Sequence, residues 1–96
     1  MDDSICESRD LVLKNKYGMH VRPAGLFAKV ASRYDADVQV EKGNVRVSGK
    51  SIMAMMTLEA LCGATLHVTA KGPQAKQVLD ELESLVNRKF DIPDEQ

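Results

Sequence analysis

Only two histidines occur in this 96-residue chain, and one of them, His20, stands in the stretch YGMHVRPAG at residues 17–25, with Gly18 before it and Arg22-Pro23 after it. The apolar run that follows puts His20 immediately ahead of a helix, where first-turn backbone N–H groups have no intrahelical acceptor and the dipole presents its positive end. A neutral imidazole in that place is a nucleophile. The same N–H groups form an anion cradle, to which Arg22 can add a guanidinium. Acceptance of a phosphoryl group fits this arrangement better than acid–base catalysis, for which the neighbouring sequence supplies no second titratable partner. Gly18 is expected to let the approach bend tightly and to leave room above the ring, and Pro23 to stiffen the first turn. A plain polar helix cap is the competing reading of a lone histidine at such a position, and on these residues alone it leads.

The remaining candidates for chemistry are sparse. Cys6 and Cys62 lack a CxxC partner or a nearby histidine, so neither a metal site nor a redox pair is expected and both read as ordinary reduced thiols. His67 falls on the polar side of an alternating run with no partner in view and is assigned no role. Thirteen Lys plus Arg against fourteen Asp plus Glu leave a net charge of −1, without the basic excess that nucleic-acid binding uses. The N-terminal MDDSICESRD is acidic where a secretory signal is basic and then apolar, and no apolar run approaches the roughly 18 residues of a membrane span. These features predict a cytoplasmic protein that neither binds nucleic acid nor inserts into membranes.

The elements that must hold His20 follow from hydrophobic period. Residues 7–14 read as a strand and NKYGM as a loop. From Val21 to Tyr34 the apolar positions Pro23, Leu26, Phe27, Val30, Ala31 and Tyr34 recur at steps of three and four, one face of a helix. DVQVEKGNVRVSG is a hairpin turning at Gly43-Asn44. IMAMMTLEAL reads as a short helix capped by Ser51 and apolar on both sides. Leu66, Val68 and Ala70 alternate as a fourth strand. After Gly72-Pro73 a long helix carries the stripe Ala75, Val78, Leu79, Leu82, Leu85, Val86. FDIPDEQ reads as a frayed tail. The order βαββαβα predicts one α+β domain over residues 1–96, with its core at about 7–87, built as a two-layer sandwich of an antiparallel sheet covered on one face by helices. A ferredoxin-like arrangement shares most of that string.

Two segments carry a resemblance that topology alone lacks. GMHVRPAGLFAKVA resembles the active-site segment of the HPr family, the histidine-containing phosphocarriers of the phosphoenolpyruvate-dependent sugar phosphotransferase system, and KSIMAMMTLEALCGATLHVTAKG is similar to that family's second signature. The likeness runs from about residue 7 to residue 87. It implies an open-faced sandwich of a four-stranded antiparallel sheet with three helices on one face. It further implies that His20 accepts phosphate on Nδ1 from phospho-enzyme I and passes it to IIA domains, that Arg22 steadies the phosphoryl group, and that the chain is a monomeric relay rather than a stand-alone enzyme. Neither a metal nor an organic cofactor is implied.

The same resemblance places partner binding at Gly25, Lys29, Ile52, Met53 and Met56. With Ala54, Met55 and Leu58 turned to the core, Ile52, Met53 and Met56 form a docking patch, and flexible methionines suit a surface that meets several partners. Ser51 reads as a helix cap on its own. In one branch of the family the matching serine is phosphorylated by HPr kinase/phosphorylase, so Ser51 is a candidate regulatory site. A regulatory protein whose His20 and Ser51 phosphorylation is read by binding partners, with little sugar transport, is the alternative function. Val21 in place of alanine, Gly25 in place of Thr or Ala, and Pro73 depart from the family pattern, the first two near the expected docking surface.

Overall fold

The computed structural model describes residues 5–93. Strand β1 (Cys6–Val12) leads through a loop into helix α1 (Val21–Ser32), followed by β2 (Asp37–Lys42), β3 (Val45–Ser48), the single-turn helix α2 (Ile52–Met56), β4 (Thr65–Lys71) and helix α3 (Ala75–Asn87). The strands form one antiparallel sheet in the order β1-β4-β2-β3. The βαββαβα sandwich is therefore present, and β4 rather than β3 lies between β1 and β2, which separates it from the ferredoxin-like alternative.

Strand alternation decides which face is covered. Leu11, Leu66, Val68, Ala70, Val38 and Val40 point one way and are buried beneath the helices. From above, α1 contributes Ala24, Phe27, Val30 and Ala31, and α3 its whole stripe from Ala75 to Val86. The other face carries a polar ladder: Ser8 and Thr69 share a hydroxyl hydrogen bond of 3.0 Å, and His67 Nδ1 lies 2.7 Å from an Asp10 carboxylate oxygen. His67 thus has a partner that the linear sequence did not reveal, because Asp10 becomes its neighbour only through the β1–β4 register.

On edge strand β1 the covered face carries Leu11 and, towards the rim, the charged Arg9. Arg9, paired with Val68, extends its guanidinium to Asp80 at 2.6 Å and Glu83 at 3.0 Å on α3, laying an aliphatic stem over the core's rim. Lys76 reaches the same Asp80 from one turn earlier at 3.0 Å. The Lys76 ammonium first, and then the Arg9 guanidinium, hold the Asp80 carboxyl below the usual carboxylate range.

The boundaries moved in four places. β1 ends at Val12 rather than at residue 14, α1 ends at Ser32 before Tyr34, α2 stops at Met56 instead of running through the whole of IMAMMTLEAL, and Pro73 lies two residues ahead of α3. The larger correction concerns the tail. After α3 the chain makes a left-handed turn over Lys89, Phe90 and Asp91, with φ of 56, 59 and 55°, which folds Phe90 and Ile92 back into the core at 1 % and 3 % exposure. What read as frayed is a packed strap as far as Ile92, since two large apolar side chains gain more by burial than three left-handed residues cost. Residues 1–4 and 94–96, the rest of the expected frayed ends, lie outside the described residues.

Two expectations follow. Phe90→Ala is expected to lower unfolding free energy by about 3 kcal/mol or more, as for other buried phenylalanines, where a frayed residue stays within about 0.5 kcal/mol; urea titration distinguishes the two. Because the folded-state carboxyl of Asp80 is depressed, its contribution is complete above the unfolded value near ~3.9 and is lost as pH falls through the lower folded value. The melting-temperature gap between wild type and Asp80→Asn should therefore narrow as pH is lowered from about 5 to about 2.5.

Candidate functional site

His20 is the N-cap residue of α1, in extended backbone (φ −95°, ψ −170°), and its carbonyl oxygen accepts the first helical hydrogen bond from Ala24 at 2.9 Å. Its side chain makes no capping bond to the helix, so the ring does not play the polar-cap role that competed in the sequence reading. The imidazole is partly exposed, its edge set against the Tyr17 ring at a centroid distance of 6.1 Å and an interplanar angle of 85°. Lys16 Nζ lies 5.3 Å from the centre of that same tyrosine ring. The first turn of α1 contains no acidic residue; Val21 and Arg22 are exposed there and Pro23 is buried, so the helix start presents its N–H groups and the Arg22 charge to solvent.

The loop that brings the histidine here is clamped by its backbone. Met19 N–H donates to the Ala60 carbonyl oxygen at 2.8 Å, and His20 N–H to the Gly18 carbonyl oxygen at 3.1 Å. Gly18 has φ 67°, and a Cβ built on it would stand 2.3 Å from Ala60 O and 2.7 Å from Leu61 Cα. The space that a side chain on residue 18 would need is therefore occupied by the 60–61 backbone. Glycine is required for close approach of two chain segments as well as for the bend.

The short helix α2 lies beside α1. Ser51 Oγ accepts from Ala54 N–H at 3.1 Å, the cap expected from sequence. Met55 and Leu58 are buried, while Ile52, Met53 and Met56 are exposed, Met53 to 81 %. The two sides of the helix thus divide as the family resemblance implied, except that Ala54 is only half-buried. A Cβ on Gly25 would lie 3.9 Å from Ile52 Cδ1, so Gly25 marks where the two helices meet. Lys29 is exposed one turn further along the same stripe of α1, in line with Val21 and Gly25. Exposed Val21, Leu61 and Tyr17 enlarge the apolar surface around the histidine. Among the described residues no group of three or more His, Cys, Asp or Glu side chains could hold a metal ion, no pocket encloses a small molecule, and no helix is long and apolar enough to cross a membrane.

Sequence reasoning missed one residue of this loop. Asn15, read as turn punctuation, is fully buried, and its Nδ2 donates to the Gly18 carbonyl oxygen at 2.8 Å. A lone asparagine ahead of a glycine carries no signal that separates this role from a turn.

Comparison with known proteins agrees with the geometry. The family described as the PTS HPr component phosphorylation site matches residues 7–88. The chain is 41 % identical over 83 residues to the phosphocarrier protein HPr of Pseudomonas aeruginosa, covering 85 % of this chain and 92 % of that one. It is 38 % identical over 77 residues to HPr of Treponema pallidum, covering 80 % and 88 %. The crystal structure of HPr-C-His from Thermoanaerobacter tengcongensis superposes with a TM-score of 0.86 at 35 % identity, covering 90 % of this chain and 97 % of that one.

The two glycines of the site should respond oppositely to alanine. Gly18→Ala forces a left-handed alanine into the Ala60 carbonyl and is expected to cost about 2 kcal/mol or more. Gly25→Ala, in a helix interior with only ordinary contact nearby, should add about 0.5 to 1 kcal/mol. Thermal melts of both variants check the pair of signs.

Proposed function

The chain belongs to the HPr family of phosphotransferase-system phosphocarriers, and within that family we propose that His20 is the phosphoryl acceptor, receiving the group from phospho-enzyme I and handing it to IIA domains. The observation that carries this reading is the position of the ring: partly exposed at the start of α1, not used as a cap, beside N–H donors and Arg22, and bordered by an exposed apolar patch. In the transfer the Nδ1 lone pair attacks phosphorus as the donor histidine's P–N bond breaks. The new P–N bond leaves the phosphoryl oxygens near the first-turn N–H groups and the Arg22 guanidinium. The reverse displacement on an acceptor histidine completes the relay. No cofactor takes part, and the barrier is lowered by alignment and electrostatics inside the docked pair.

Docking falls to Ile52, Met53 and Met56 with Gly25 and Lys29 alongside. Three exposed apolar side chains grouped on one short helix form surface that a partner would cover. Ser51 stands at the rim of this patch as the cap of α2. A phosphate on its Oγ, added by a serine kinase of the HPr kinase/phosphorylase type, would bring close to two negative charges to a surface that must be desolvated, and so would oppose docking while the helix tolerates it.

Incubation with enzyme I and labelled phosphoenolpyruvate tests the assignment. Wild type is expected to take an acid-labile label, His20→Ala none while keeping the wild-type melting temperature within a few degrees, and Met53→Glu the same final label at a slower rate because an apolar contact receives a charge. Full labelling of His20→Ala removes the assignment, and wild-type rates in Met53→Glu remove α2 from the docking surface.

A further inference from the structure

Among the described residues Asn15 is the one polar side chain that is fully buried, and it lies in the connection from β1 to α1 rather than under the sheet. An amide taken out of water costs free energy unless its hydrogen-bonding groups are used. Its Nδ2 is used on the Gly18 carbonyl oxygen, at 2.8 Å. That oxygen also accepts from the His20 N–H at 3.1 Å, and the Gly18 N–H returns a bond of 3.2 Å to the Asn15 carbonyl oxygen. Residues 15 and 18 are therefore joined twice, once through backbone and once through the side chain. The peptide between Gly18 and Met19 is fixed at both ends, its oxygen by Asn15 and His20, its N–H by the Ala60 carbonyl at 2.8 Å. Glycine at φ 67° has no side chain to resist rotation of that peptide, so the resistance has to come from these bonds.

We propose that Asn15 is a positioning residue for phosphoryl transfer: by holding the Gly18 carbonyl it sets the plane of the Gly18–Met19 peptide, one residue ahead of His20, and through it and the His20 N–H bonded to the same oxygen the direction in which the imidazole faces an incoming phosphorus. The proposal rests on the reading of His20 as the acceptor. In-line transfer requires reacting atoms about 3 to 3.5 Å apart and aligned, and a displacement on the order of 1 Å costs about 100-fold in rate. Without the amide the Gly18 carbonyl keeps only the bond from His20, the very residue whose position it determines. The docking patch on α2 shares none of these bonds, so loss of Asn15 separates alignment from association.

The test compares wild type with Asn15→Ala and with Leu82→Ala, a core substitution under α3 that destabilises the fold away from this loop. All three are assayed for phosphorylation by enzyme I and phosphoenolpyruvate at a temperature where circular dichroism shows them folded, with amide hydrogen exchange measured by NMR. Asn15→Ala is expected to lower kcat by about 10- to 100-fold while KM for enzyme I stays within about twofold, and to speed exchange of the His20 amide. Leu82→Ala should keep the wild-type kcat and His20 exchange rate. If Asn15→Ala does not fold, Asn15→Ser, which retains a donor on a shorter arm, is measured in the same way and should show a smaller fall in kcat. A wild-type kcat in the Asn15 variant, or an equal fall in Leu82→Ala, overturns the proposal. Wild type that takes no label on His20 overturns the phosphocarrier assignment itself, a failure the same assay tells apart.

Discussion

The Ala60 carbonyl oxygen accepts from the Met19 N–H at 2.8 Å and stands where a side chain on residue 18 would have to go. That contact joins the loop ahead of α1 to the loop behind α2. Leu13 N–H donates to Ala64 O at 2.9 Å and Gly63 N–H to Leu13 O at 2.8 Å, so the two segments are tied again a few residues away. His20 and the exposed apolar helix are therefore carried on one body whose internal spacing is set by main-chain bonds. The arrangement suits a relay that has to present the same histidine, at the same distance from the same patch, to successive partners.

Such a body needs support that its own secondary structure cannot give. A helix of five residues is too short to be stable alone. α2 persists because Ser51 satisfies an N–H at its start, and Met55 and Leu58 anchor it in the core. Its exposed side is what remains after those anchors are placed. The sheet provides the platform: its covered face is almost wholly aliphatic, and its open face meets water through paired polar side chains such as Ser8 with Thr69 and Asp10 with His67. At the edge, Arg9 links β1 to α3 across Asp80 and Glu83. Arg9 is three-quarters buried as a side chain, and the pairing keeps its charge compensated while its methylenes close the core.

The strap after α3 shows burial overruling local preference. Three successive non-glycine residues in the left-handed region cost roughly 1 kcal/mol or more each. They are held there because the turn reverses the chain and delivers Phe90 and Ile92 to the hydrophobic cluster. The pattern of the segment carried no period and ended in charged residues, so nothing local announced its packing.

Period and punctuation in the sequence determined most elements and their faces: the α1 and α3 stripes, the Gly43-Asn44 hairpin, the alternation of β4 and the Ser51 cap all follow from rules that act within a few residues. The position of His20 at a helix start, and hence its candidacy as an anion-linked nucleophile, is legible for the same reason. Tertiary structure alone decided that Asn15 is buried on the Gly18 carbonyl, that Gly18 is empty for the sake of Ala60, that His67 meets Asp10, that Arg9 reaches α3, and that Phe90 belongs to the core. Each of these is a contact between residues brought together by strand order or by loop closure. Side-chain type records what a residue can bond to, and only the register of the folded chain supplies the neighbour.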